Sequence, residues 1–346
     1  MSLSKRLINS NDTGGAIIPE PTGPFTTAYM VAGNVLYSID ISNPSNMVQL
    51  DTLTSANTSS MDNVKIDYIN NVAYVVSQSS YVLLAIDISD PNNMSQIGFL
   101  YSSDLGGPFG IALDVNNSIA YTVGFAGDNI TSIDISNPSN LSVIDTYSST
   151  SLDRVLDIDL DLQNNVAYAA VGSDKITSID ISNPSNLSEL DSYASSSLDN
   201  AFGISLDLQN SVAYVVSSNA NSITSIDISN PSSLSELDSY TSGNLASPRA
   251  IAVDSTTNIP YVSAYTSRTV TSINASNPSN LSELDSYASG NFFDIRGIKL
   301  DEFNQLAYAV CQGADNIVSI DISNPSNLTV LDVLGGKDNA IQLALN

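Results

Sequence analysis

Between residues 201 and 240, apolar and polar positions fall into four short runs. AFGISLDL (201–208) is apolar and extended, and VAYVVSS (212–218) is β-branched and aromatic. ITSIDIS (223–229) alternates Ile with polar residues, and LSELDSY (234–240) alternates again. QNS, NANS and NPSS separate the runs, with Pro231 at the second position of a type I turn. Alternation and β-branched enrichment over such lengths predict four strands, A to D, joined by turns of a few residues.

A string of the type SIDISNPSN marks the third turn and recurs seven times, with prolines at 44, 91, 138, 184, 231, 278 and 325. A period of 40–50 residues is the size of a propeller blade or of some helical repeats, and the strand rhythm selects the blade. Seven repeats of four antiparallel strands predict an all-β, seven-bladed β-propeller. A parallel β-helix is the structural alternative, but it carries no fourfold strand rhythm.

The closure of the ring is also readable. Strand A ends in Asp in six units (Asp67, Asp114, Asp161, Asp207, Asp254, Asp301), seven residues before a strand B Tyr. The first unit has its Tyr29, but IIPEPTGPF precedes it, and three prolines lack ladder donors. At the other end DNAIQLALN (338–346) matches DNAFGISLD (199–207). The C-terminal strand is therefore expected to complete blade 1. Residues 26–346 form the propeller and residues 1–25 an extended N-terminal arm.

The succession AYVV, SIDISNPSN and LSELDSY resembles the LVIVD repeat of bacterial and archaeal propeller proteins, over about residues 26–346. That resemblance implies the fold and little about activity, because propellers host many functions. Residues 4–16, SKRLINSNDTGGA, resemble the opening of many tailed-phage virion proteins. This second resemblance implies an anchoring arm in contact with other virion proteins.

Composition narrows the chemistry. The 346 residues carry 36 acidic and 10 basic side chains, a net charge of −26, no His and one Cys. Absence of His removes His-dependent triads and the commonest zinc ligand. A single Cys permits no internal disulfide or thiolate cluster. The acidic field disfavours nucleic acid, and no apolar run is long enough to span a bilayer as a helix. The N-terminus lacks the apolar stretch of a secretory signal, so the expected location is a virion or the extracellular space without one.

The A–B and C–D turns lie on one face and repeat almost unchanged. The B–C and D–A loops lie on the other and differ in every blade, which points to scaffold on the first face and specificity on the second. The variable face gathers the scarce basic and aromatic residues. The expected binding residues are Arg249, Phe292, Phe293, Arg296, Arg154, Lys337 and Phe109, with a protein or glycan as partner. Of the Phe292–Phe293 pair, one is expected to be exposed. Phe202 is expected in the core. Lys65, Lys299, Asp157 and Asp159 are placed near the axis.

The SIDIS aspartates (Asp40, Asp87, Asp134, Asp180, Asp227, Asp321; Asn274 in blade 6) suit calcium chemically. No calcium-loop motif accompanies them, and their repetition favours a turn-bonding role, so no metal or cofactor is expected. The strand D aspartates Asp145, Asp191, Asp238, Asp285 and Asp332 read as charged outer edges that oppose aggregation. The strand B tyrosines read as packing between blades, and Pro260 predicts a bulge or a lost ladder bond.

The reading that follows is a non-enzymatic binding or structural protein, a virion-associated propeller with an anchoring arm and a binding loop face. The alternative is a prokaryotic surface or extracellular adhesion propeller. The third is a metal-dependent propeller hydrolase or lyase.

Overall fold

The computed structural model describes residues 23–346; the expected arm lies outside them apart from its last three positions. Seven separate four-stranded antiparallel sheets make up the described chain, and they form the seven-bladed propeller that the repeat predicts. Blade 4 shows the pattern: strand A Val155–Asp161, strand B Val166–Val171, strand C Lys175–Asp180 and strand D Ser188–Ala194. In blade 1, Ala340–Leu345 serves as strand A and pairs with strand B, Thr27–Ala32, in the register Ala28↔Leu345 to Ala32↔Ala340. Asn346 and Thr27 exchange backbone hydrogen bonds of 2.8 and 2.9 Å, so the ring closes at the last residue.

Burial between blades explains the strand B pattern. All seven strand B tyrosines are at most 1% exposed. Each packs into the next blade, as Tyr121 does against Ala167 and Ala169 of blade 4. The Tyr74 hydroxyl donates to the Ile135 carbonyl of blade 3 at 3.3 Å. Burial raises the phenol pKa values, to about 12 at Tyr29, so these groups stay neutral.

The C–D turns behave as the sequence implies. Asn140 N–H donates to Asn137 O across the Pro138 turn at 2.8 Å, and Asp134 Oδ1 accepts from Ser136 N–H at 2.9 Å. In blade 6 Asn274 accepts the same bond from Ser276. The Pro260 expectation also holds. B–C pairing in blade 6 begins only at Tyr261↔Ser272, whereas blade 5 pairs from Val212↔Asp227 onward.

The strand D aspartates require a correction. They are not free edge charges. Asp238 Oδ2 accepts from Leu281 N–H of the next blade at 2.7 Å, and Ser225 Oγ, opposite Asp238, donates to the Pro278 carbonyl at 2.6 Å. The same Ser–Asp clasp joins blade 3 to 4, 4 to 5, 6 to 7, 7 to 1 and 1 to 2. Only between blades 2 and 3 is it replaced. Ala85 and Gly98 stand there, and the Pro138 carbonyl fills the space a Cβ on Gly98 would need.

Candidate functional site

The D–A connections build the variable face from a short 3₁₀ turn. In blade 5 the Ser242 hydroxyl caps the turn Gly243–Leu245 by accepting from Asn244 N–H, and Leu245 is buried beneath it. Leu105, Leu152 and Leu198 plug the equivalent turns, and Phe292 takes that place in the turn Gly290–Phe292. Phe292 is therefore 0% exposed and packs edge-on against Tyr287, which removes it from the binding surface. Phe293 is the exposed member of the pair, at 44%.

Before strand A the chain passes through a left-handed residue. Arg154, Asn200, Ser247, Asp294 and Asn339 have φ between 53° and 63°. The preceding blade holds most of them there: Asp128 Oδ1 accepts from Arg154 N–H at 3.0 Å, and Asn221 Oδ1 from Ser247 N–H at 2.8 Å. A bulge follows in strand A. The A–B register shifts at Phe109, Leu156, Phe202, Arg249 and Arg296, the second strand A residue of blades 3 to 7. A bulge re-aims the side chain it carries. Four of these residues, Phe109, Leu156, Phe202 and Arg249, line a cavity of about 80 Å³. Its remaining lining comes from the innermost strands of blades 4 to 6 and of the other blades, among them Asn63, Lys299 and Gln342, so the cavity lies on the propeller axis.

Cations on this face rest on aromatic rings. The Arg249 guanidinium sits 4.4 Å from the Phe202 centroid and 5.3 Å from that of Tyr265. Arg296 lies 5.6 Å from Tyr265 and is held by Asp294 through Nε at 2.5 Å and Nη2 at 3.2 Å. Arg268 covers Phe293 at 4.5 Å, and Arg154 approaches Phe125 at 5.8 Å. Such contacts contribute about 0.5–2 kcal/mol each and hold long side chains in place. Phe109 meets Phe202 edge-to-face at 6.1 Å.

Lys337 does not join the surface. It is 4% exposed, lies over Tyr37 and donates to the Gly335 carbonyl; burial lowers its pKa. Phe202 departs from expectation in the opposite direction. It is half-buried at the cavity rather than enclosed in a blade core.

Deeper on the axis, Lys65, Lys299, Asp157 and Asp159 line the cavity together. Asp157 accepts from Ile158 N–H at 3.0 Å and from Ile204 N–H of blade 5 at 3.2 Å. Asp159 bonds Leu160 and Leu206 likewise. The two carboxylates thus bridge blades 4 and 5. Burial raises the Asp157 pKa, opposed by the Ile204 bond and by the positive charges of Lys65 and Lys299. Among the described residues no group of three or more Cys, Asp or Glu is placed to hold a metal ion.

The ring of bulged residues is the feature that sequence reading missed. Its signal is present: each member lies five residues before the Asp that ends strand A.

Five stretches, residues 28–53, 113–149, 158–195, 209–242 and 307–332, match the family model of the LVIVD repeat. The chain carries LVIVD repeats. The matches fall on blades 1, 3, 4, 5 and 7. Blade 2, whose own Ser–Asp pair is replaced by Ala85 and Gly98, and blade 6, with Pro260 and Asn274, lie outside the matched stretches.

No curated protein sequence matches the chain. Among solved structures, a functionally unknown protein from Desulfotomaculum acetoxidans is 15% identical with a TM-score of 0.76, covering 92% of this chain and 98% of its own. A candidate 6-phosphogluconolactonase from Bacteroides uniformis is 11% identical with a TM-score of 0.78, covering 93% and 100%. The periplasmic gluconolactonase of Pseudomonas aeruginosa is 8% identical with a TM-score of 0.75, covering 92% and 99%. At these identities the likeness shows the propeller fold.

Proposed function

We propose that the protein acts by binding, without catalysis, through the loop face around the axial mouth, and that its partner is a protein or a glycan. The observation that carries this reading is the gathering of ring-stacked arginines and part-exposed aromatics on that face of a chain with a net charge of −26. Arg and aromatic side chains supply most of the energy at typical interfaces. The opposite face repeats an NPSN-type turn in all seven blades and gathers no ring-stacked arginines. A virion location, with residues 1–25 as anchor, is the finer form of this proposal, supported by the likeness of residues 4–16 to tailed-phage proteins.

Two variant sets test it on glycan arrays and on purified cell-surface and virion proteins. Replacing Arg249, Arg296, Phe293 and Arg154 by Ala should weaken binding by at least about tenfold, since such anchors contribute about 2 kcal/mol or more. Replacing Ser and Asn in the NPSN turns should not. The reverse pattern would invert the assignment of faces. Mass spectrometry of purified particles tests the virion location.

One observation favours a second reading, a lactone hydrolase: two similar structures bear gluconolactonase names, and Asp157 and Asp159 sit on the axis here. Both carboxylates are engaged by backbone N–H groups of two blades, which suits a structural role. Hydrolysis of 6-phosphogluconolactone above the spontaneous rate, lost in Asp157→Asn or Asp159→Asn, would replace the binding proposal.

A further inference from the structure

We infer that Arg249 is the anion-recognising residue of a small-ligand site at the loop-face end of the axial cavity, taking one carboxylate or phosphate group of a ligand whose apolar part rests against Phe109 and Phe202. The inference deepens the binding reading and rests on it.

Charge supplies the first reason. Lys65, Arg249 and Lys299, three of the ten basic residues in the chain, line the cavity against two acids. The walls therefore carry surplus positive charge inside a strongly acidic molecule, and a low-dielectric concavity concentrates such a field. Donor geometry supplies the second. The contacts with Phe202 and Tyr265 hold the guanidinium through its charge and use none of its N–H donors, the planar fork that matches oxyanions. The Arg249 Nε is buried and has no hydrogen-bond partner. An unmade bond of that kind costs stability until an acceptor arrives.

The neighbours exclude other assignments. Arg296 is engaged through Nε and Nη2 by Asp294, so it is not the free cation of the rim. Asp157 is held by backbone N–H groups of blades 4 and 5. Burial, followed by the charge of Arg296, disfavours the charged form of Arg249, and the opposite charge of an oxyanion beside it would offset both. The volume of about 80 Å³ admits a small acidic group, with the remainder of the ligand outside or along the Phe wall.

Calorimetric titration of the full chain tests the inference with three probes: benzoate, inorganic phosphate and benzamide, the neutral counterpart of benzoate. At least one anion should bind, and benzamide and the variant Arg249→Gln should each weaken that interaction by at least about tenfold, the scale of a lost charge-assisted bond. Preference for benzoate identifies a carboxylate ligand with an apolar body; preference for phosphate identifies a phosphoryl group. Lys175→Gln, a cation of the same face whose side chain bonds the Thr150 carbonyl and does not line the cavity, should leave the affinity within about twofold. If Arg249→Gln melts as an unfolded chain, Arg249→Lys takes its place, because it keeps the charge and loses the planar fork. No binding by either anion up to about 10 mM, equal binding of benzamide, or undiminished binding by a folded Arg249 variant would overturn the site. Such a result alongside an intact partner interaction of the loop face would leave the binding proposal standing.

Discussion

Replacing Asp238 with Ala removes half of the clasp between blades 5 and 6. The lost bond is the 2.7 Å contact from Leu281 N–H to a carboxylate oxygen. Hydrogen bonds to charged groups contribute about 1.5–3 kcal/mol, and water can reach this part-buried site, so a loss of about 1.5 kcal/mol is expected. Ser225→Ala removes the other half. Ser225 is fully buried, and its 2.6 Å bond to the Pro278 carbonyl has no ready substitute, so the cost is about 1–3 kcal/mol. The two residues face each other in the strand register. The double variant should therefore lose less than the sum of the singles, with a coupling of about 0.5 kcal/mol or more. Asp238→Ala combined with Asp145→Ala, which acts at a different junction, should be additive. Urea unfolding followed by far-UV circular dichroism gives these values, provided the slopes agree among variants. Asp238→Asn keeps an acceptor and should lose less than Asp238→Ala. If Asp238→Ala lies within about 0.5 kcal/mol of the parent, the clasp contributes nothing and the aspartates are edge charges after all.

Removing residues 338–346 takes away buried Ala340 and Leu343 and the ladder to Thr27–Ala32; burial of a Leu at about 1.5–3 kcal/mol plus several bonds near 1 kcal/mol each approaches the whole stability of a domain, so the truncated chain should not fold cooperatively in a thermal melt. Phe292→Ala should cost about 3–5 kcal/mol as a core deletion, while Phe293→Ala should stay within about 1 kcal/mol; equal melting temperatures would contradict their placement. For Asp157 the folded-state pKa is raised by burial, so unfolding releases a proton above the ordinary carboxylate range and the residue lowers stability as pH rises from about 4. Asp157→Asn, which still accepts from Ile158 and Ile204, should thus stabilise the protein at neutral pH, with the gain vanishing toward pH 4; a loss at neutral pH that fades on acidification would show that Lys65 and Lys299 outweigh burial.

The fold was legible because each repeat carries its own punctuation. The NPSN turns, the strand B Tyr and the Asp ending strand A recur at fixed offsets, and the C-terminal strand supplies the missing member of blade 1. Contacts between blades were harder to see. The Asp of LSELDSY alternates outward in a one-strand pattern, and only the next blade, brought within reach by the ring, reveals that it has a partner. The site was half legible. Basic and aromatic residues marked the variable face, where the structure gathers the ring-stacked arginines, but strand alternation assigns Phe202 to a core. A one-residue bulge overrides that alternation and turns the side chain toward the axis. Phe292 fails for a related reason: its burial follows from its place as the plug of the Ser-capped turn, a role held by Leu elsewhere.

These local features account for why one face repeats while the other varies. Clasps, Asp-bonded turns and tyrosine packing all act between strands or blades through backbone partners, so they constrain a few Ser, Asp, Pro and Tyr positions and repeat with little change. The second residue of strand A is under no such constraint. Its backbone is set by the bulge and by the left-handed residue before it, which the preceding blade pins through its B–C loop. The side chain at this position contributes to no ladder pair, so it is Phe, Leu, Phe, Arg and Arg in successive blades without disturbing the ring. A rigid frame that leaves one free position in each of blades 3 to 7 around a common axis allows the mouth to change chemistry one residue at a time. Neighbouring blades then determine what each cation can do. The Asp294 carboxylate neutralises Arg296, while Phe202 and Tyr265 hold Arg249 in place and leave its charge unpaired at the cavity.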